Sequence, residues 1–156
     1  MSVAFRREGD EEHLEPKFEI PIPPGPNLVT ARGLTLIGQR VAACKAQLAE
    51  GGDELAINAA RRDLRYWHTR QITAELMPVP SGETVEFGTT VTFRLNGKER
   101  VLTIVGDDEA DPAAGLISFC APLSRVLLGA EPGELLPFGA REDAIEIVAI
   151  AVRRSP

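Results

Sequence analysis

Cysteine and histidine are scarce in this chain. Its 156 residues contain two cysteines, Cys44 and Cys120, and two histidines, His13 and His68. The cysteines lie far apart with no C-x-x-C spacing, so neither a disulfide framework nor a thiol redox motif is expected. Two of each, scattered along the chain, cannot supply the ligand group that zinc requires at its usual spacings. No G-x-S-x-G elbow accompanies the histidines, which argues against a nucleophile–base triad. Glycine-rich phosphate loops are missing too: neither G-x-x-x-x-G-K-[ST] nor a G-x-G-x-x-G after a strand occurs. No apolar run approaches the roughly eighteen residues of a membrane span. The first residues, MSVAFRREGDEEHLE, hold acids where a secretory leader needs an apolar core. A cytoplasmic protein with no membrane partner is therefore expected. Excess positive charge is also lacking. Seventeen basic residues against twenty-three acidic ones give −6, which argues against a whole-chain nucleic-acid binder working by phosphate neutralisation.

What is present is the profile of a folded globular protein, 44% apolar and 26% charged. The charge is segmental. Residues 1–26 carry 3 basic and 6 acidic residues, 27–77 carry 7 and 5, and 78–156 carry 7 and 12. Within 1–26, the acids Glu8, Asp10, Glu11, Glu12 and Glu15 precede Pro21, Pro23, Pro24 and Pro26, which block helix formation. This stretch reads as a flexible acidic, proline-rich tail, with the alternating Phe18, Ile20 and Ile22 suited to a short extended segment.

Helical signals begin at Thr30, an N-cap flanked by Val29 and Leu34 in hydrophobic-staple spacing. Leu34, Ile37, Val41, Cys44 and Leu48 recur at three-and-four spacing until Gly51-Gly52 stops the helix. Asp53 caps a second helix, in which Ile57, Ala60, Leu64 and Trp67 repeat the pattern and Ile72 and Leu76 extend it to about Met77. Helices joined so closely must lie antiparallel, so 27–78 is expected to be a coiled-coil hairpin. Arg61, Arg62, Arg65 and Arg70 cluster on its second arm, either as a solvated face or as a contact for a partner. Trp67 stands at a seam position suited to packing.

From Glu83 the period changes to two, through Val85, Phe87, Val91, Phe93 and Leu95. Asn96-Gly97 signals a hairpin, and Val101, Thr103 and Val105 continue beyond it. Leu116–Phe119 is a third strand, Pro122–Leu128 a short helix with proline at its first position, and Ala144–Val152 a last strand. Residues 79–156 are expected to form a small α+β domain.

Chemistry is sparse. Asp107, Asp108, Glu109 and Asp111 form an acidic run that reads as a solvated loop. Glu50, Asp53 and Glu54 surround Gly51-Gly52 at the hairpin tip. Capping and the helix dipole account for Asp53 and Glu54 without any further role, yet carboxylates at such a tip could offer oxygen ligands to a divalent cation held by another protein.

Four blocks then occur in order: Val85-Glu-Phe-Gly-Thr-Thr-Val-Thr, Ile104-Val-Gly-Asp-Asp-Glu-Ala-Asp, Gly115-Leu-Ile-Ser-Phe-Cys-Ala-Pro-Leu-Ser-Arg-Val-Leu-Leu-Gly and Gly133-Glu. Together they closely resemble the C-terminal domain of the GreA/GreB transcript-cleavage and elongation factors. Leu28-Val-Thr-Ala-Arg-Gly-Leu and Gly52-Asp53 resemble, more weakly, the opening and the tip of that family's N-terminal coiled coil. The resemblance implies an FKBP-like C-terminal domain that docks on the rim of the secondary channel of bacterial RNA polymerase, while the coiled coil reaches toward the catalytic Mg²⁺. It implies Phe119, Ala121, Pro122, Leu123 and Arg125 as the docking surface. It also implies Asp53, Glu54 and Glu50 as the acids lent to the polymerase, with no cofactor or metal of the chain's own and nucleic acid met only through the elongation complex. A monomer is expected.

Two departures matter. Ala121 stands where the family usually has serine. The family tip pattern G-D-L-S-E-N-A-E-Y places two acids three apart, whereas here Asp53 and Glu54 are adjacent and point about 100° apart on a helix. The implied function is a channel-binding elongation factor that is not itself an enzyme, stimulating transcript cleavage through its tip acids. The alternatives are a non-cleaving occupant that competes with cleavage factors, a peptidyl-prolyl isomerase, against which the domain's few aromatics, Phe87, Phe93, Phe119 and Phe138, read mostly as strand core and not as pocket lining, or an interaction module for an unrelated partner.

Overall fold

A computed structural model describes residues 19–152. The tail assigned to residues 1–26 therefore lies, up to residue 18, outside the described residues. The described residues form two compact units, one comprising 19–25 with Ile37–Thr73, the other Pro26–Leu36 with 74–152. The first residues of the hairpin's first arm thus belong to the C-terminal unit.

In the first unit, helix α1 (Ala31–Glu50, continued from the other unit) and helix α2 (Glu54–Thr73) are joined by only Gly51-Gly52-Asp53. At about 1.5 Å per residue, each 20-residue arm is about 30 Å long. The seam follows the three-and-four spacing: Ile37, Val41 and Ala60 are buried, while Cys44, Leu48, Ile57, Leu64 and Trp67 are half-buried. Burial fades toward the tip, as two helices alone cannot enclose a core. Arg40 stacks over the Trp67 ring at 5.6 Å and Tyr66 meets it edge-on at 4.9 Å, so Trp67 packs at the seam beneath a cation.

The second helix ends at Thr73, short of the Met77 that its apolar pattern suggests. The backbone is diverted: the amides of Glu75 and Met77 donate to the carbonyls of Asn27 and Val29. Strand β1 (Leu28–Val29) thereby pairs in parallel with β2 (Glu75–Leu76), and Ile72 and Leu76 are left exposed.

The second unit is built on a five-stranded sheet of order β5-β4-β3-β7-β6, from β3 (Thr89–Leu95), β4 (Lys98–Val105), β5 (Leu116–Ser118), β6 (Leu135–Phe138) and β7 (Arg141–Val152). β3 and β4 form the hairpin signalled by Asn96-Gly97, whose φ angles of 52° and 85° are those its tight turn requires. The expected antiparallel sheet carries one parallel pair, β4 with β5. Val85 and Phe87 precede β3 instead of forming a strand of their own. The Val85 amide and carbonyl bond instead to Ala130 and Gly129, after the short helix α3 (Pro122–Leu127). Val91, Phe93, Ile104, Ile145 and Ile147 on the sheet pack with Val85, Leu123 and Leu127 into one core. Strand β6, with Pro137 on a sheet edge where a lost donor is tolerated, had no signal in the alternation.

Candidate functional site

Two places hold the residues singled out in the sequence. At the hairpin tip, the Asp53 Oδ1 atom accepts the Ala56 amide at 2.8 Å, the N-cap geometry expected of it. Glu50, Asp53 and Glu54 are all exposed, and Leu55 beside them is 74% exposed. Among the described residues no group of three or more Cys, His, Asp or Glu could hold a metal ion. The tip carboxylates could therefore only complete the coordination of an ion held elsewhere.

The second place is the turn between β5 and α3. Ser118 organises it. Its hydroxyl donates to Asp107 Oδ1 at 2.6 Å and accepts the Cys120 amide at 3.0 Å, while the Ser118 carbonyl accepts the hydroxyl of fully buried Ser124 at 2.6 Å. The Ala121 amide closes the turn on the same Ser118 carbonyl at 3.0 Å. Ala121 has no side-chain cap to offer α3, so Pro122 begins the helix with preset φ and no orphan donor. Pro122 and Arg125 face solvent, with Phe119 and Ala121 half-buried beside them.

Leu123 is a correction. It is 9% exposed and belongs to the hydrophobic core, because α3 must turn one apolar face onto the sheet. It lies beneath the turn and leaves Pro122 and Arg125 as the exposed residues there. Phe119 also packs inward, edge-to-face on Phe87 at 5.6 Å. Phe93 is fully buried and Phe87, Phe119 and Phe138 pack against the same cluster, so all four phenylalanines contribute to the core, as their strand positions suggest.

The acidic run is solvated only in part: Asp111 is exposed, but the other three acids are not. Asp107 and Asp108 are half-buried and Glu109 is 5% exposed. Glu109 accepts the Thr30 hydroxyl at 2.6 Å and Arg32 Nη1 at 2.9 Å, within the C-terminal unit. The same Thr30 hydroxyl accepts the Gly33 amide at 3.0 Å, as the N-cap of α1. Charge density alone conceals these roles, and hydroxyls such as those of Ser118 and Ser124, within a strand and a helix, carry no spacing signal. Elsewhere, burial together with nearby Asp63 pushes the Cys44 thiol up, against the pull of Arg40, and leaves it a packing residue.

Residues 80–153 match the family described as "Transcription elongation factor, GreA/GreB, C-term". The chain is similar to the transcription elongation factor GreA of Azorhizobium caulinodans, 45% identical over 76 residues, covering 45% of this chain and 47% of that one. It is 37% identical over 79 residues to the GreA of Desulfovibrio desulfuricans, covering 48% and 49%. The match thus spans about half the length of these curated relatives. Among solved structures, GreA factor homolog 1 (Gfh1) of Thermus thermophilus aligns over 81% of this chain and 99% of its own, at 19% identity and a TM-score of 0.38. Residues 80–153 thus form a domain of the GreA/GreB C-terminal type.

Proposed function

We propose that this chain binds bacterial RNA polymerase at the rim of its secondary channel and modulates elongation, acting on the polymerase and not as an enzyme in its own right. The turn at 118–125 carries the reading. Four hydrogen bonds through Ser118 hold the turn, and Pro122 and Arg125 are presented to solvent on that base. A surface whose conformation is fixed before contact loses less entropy on binding. Arg125, a planar five-donor group at the exposed face, is the natural anchor for a carboxylate on the partner.

The tip supports a channel-occupying regulator over a cleavage factor. Asp53 uses one carboxylate oxygen as a cap, and adjacent Glu54 leaves the first helical turn in a different direction. The two acids do not converge on one ion as acids three apart on one face would. A backtracked elongation complex with 5′-labelled RNA tests this. Competition with a cleavage factor and no RNA shortening supports the regulator; shortening that is lost in the Asp53→Ala/Glu54→Ala double variant makes the chain a cleavage factor.

A further inference from the structure

Strand β4 is covered along only part of its outer edge. Thr103, Ile104 and Val105 pair with β5, and the Thr103 amide, directed away from β3, donates to the Gly115 carbonyl at 2.8 Å. Backbone groups alternate in direction along an antiparallel strand, so those of Glu99 and Val101 point the same way as those of Thr103. Among the described residues, no backbone group pairs with Glu99 or Val101 on that side. A Cβ on Gly115 would stand 3.5 Å from the Val101 carbonyl, which marks where the free edge ends. Val101 itself is 52% exposed.

The two faces beside this edge differ in charge. On one, Arg94 stands opposite Glu99 and is paired with Glu146 at 3.0 Å, so its charge is met. On the other, Leu95, Lys98 and Arg100, with Asn96 of the turn, line an open groove of about 570 Å³. Lys98 and Arg100 are exposed and have no ion-pair partner among the described residues. Leu95 packs against the core and forms the groove's apolar wall. Open amide and carbonyl groups beside two unneutralised cations suit an extended chain that brings both a backbone and carboxylates.

A second copy is the wrong occupant. Two identical edges related by a two-fold axis pair antiparallel, with outward-facing residues opposite one another. Pairing Glu99 with Glu99 also sets Lys98 of one copy against Arg100 of the other, and pairing Glu99 with Val101 sets Arg100 against Arg100. Like charges directly opposite destabilise a strand pair. Pairing Val101 with Val101 would need the Thr103 groups that β5 already holds.

We propose that the 98–101 edge of β4 binds an extended acidic segment of a partner protein as an added strand, with carboxylates at alternate positions of that segment over Lys98 and Arg100. The backbone of Glu99 and Val101 holds the segment whatever its sequence, and the two cations select acids on one of its faces. The site lies at the hairpin end of β4, whereas the 118–125 turn adjoins the other end, so it does not rest on polymerase docking.

Nitrogen-15 NMR of the full chain tests this, by titration with the peptide acetyl-Thr-Val-Glu-Val-Glu-Val-Thr-amide and with its glutamine counterpart at about 0.05 M salt. The expected result is a set of shifts centred on the amides of residues 97–101, slowed exchange of the Glu99 and Val101 amide protons, and binding at least about fivefold tighter for the acidic peptide. K98Q/R100Q, which alters two exposed side chains and leaves the core intact, should abolish that preference. Equal binding of the two peptides, a preference unchanged in K98Q/R100Q, shifts without slowed exchange, or shifts centred elsewhere would overturn the proposal. So would edge shifts that appear when the chain alone is concentrated, because the occupant would then be a second copy.

Discussion

Glu109 and Thr30, seventy-nine positions apart, share a hydrogen bond of 2.6 Å, and through it a buried carboxylate holds the N-cap of the first hairpin helix. The hydroxyl that donates to Glu109 also accepts the Gly33 amide, and Arg32 closes on the other carboxylate oxygen. One acid therefore orients the cap, neutralises an arginine and fixes where the helix begins. Glu109→Ala leaves the Thr30 hydroxyl and the Arg32 guanidinium without this partner, and is expected to cost about 2 kcal/mol in urea unfolding. Glu109→Gln, which keeps one acceptor, should lose distinctly less than Glu109→Ala. Equal losses would mean that the one acceptor the amide keeps contributes nothing.

Gly106 lies against the same root. A Cβ there would collide with the Leu28 carbonyl oxygen, a backbone atom of β1 that cannot rotate away. Gly106→Ala should therefore destabilise by about 3 kcal/mol, although its backbone conformation suits alanine. Urea unfolding checks this, with Gly97→Ala in the open hairpin turn as a comparison dominated by backbone conformation and not by a clash.

The exposed Glu19–Arg65 pair predicts a pH signature. The Glu19 pKa is lowered in the folded state, so the pair's contribution is complete above the unfolded value near 4.5 and is lost as pH falls through the lower folded value. Side-chain carboxyl NMR of Glu19 should give a midpoint below that of a free glutamate, and Arg65→Ala should return it to the ordinary range. A midpoint insensitive to Arg65→Ala would show that the pair does not form in solution.

Leu123 separates support from contact. Because it is core, Leu123→Ala should cost about 3 kcal/mol of stability in the C-terminal unit. Any accompanying loss of partner binding should be recovered at low temperature, where the destabilised domain is still folded. Loss that persists in the folded variant would return Leu123 to the contact surface.

Much of this fold could be read from local chemistry. Thr30, Gly51-Gly52 and Asp53 punctuate the hairpin as their capping preferences require, and Asn96-Gly97 fixes the β3–β4 turn. These signals are local, and the structure keeps them. What escaped depends on distant partners. The second helix stops at Thr73 because carbonyls at Asn27 and Val29, more than forty positions earlier, take the amides of Glu75 and Met77. Asp107 and Glu109 resemble surface acids until Ser118 and Thr30 fold against them. Of the proposed docking residues, motif resemblance pointed to this turn but did not say that Leu123 faces inward and Arg125 outward. That distinction comes from which side of a six-residue helix meets the sheet.

Polymerase binding through the 118–125 turn is the central claim, and Arg125 is the residue to test it with, since it is exposed and makes no core contact. The direct measurement is the affinity of purified core RNA polymerase for the full chain and for Arg125→Glu, after unfolding curves confirm equal stability. Binding by the full chain that falls at least about tenfold in Arg125→Glu, or roughly 1.4 kcal/mol, is the predicted result. No binding by the full chain, or undiminished binding by the equally stable variant, would contradict it.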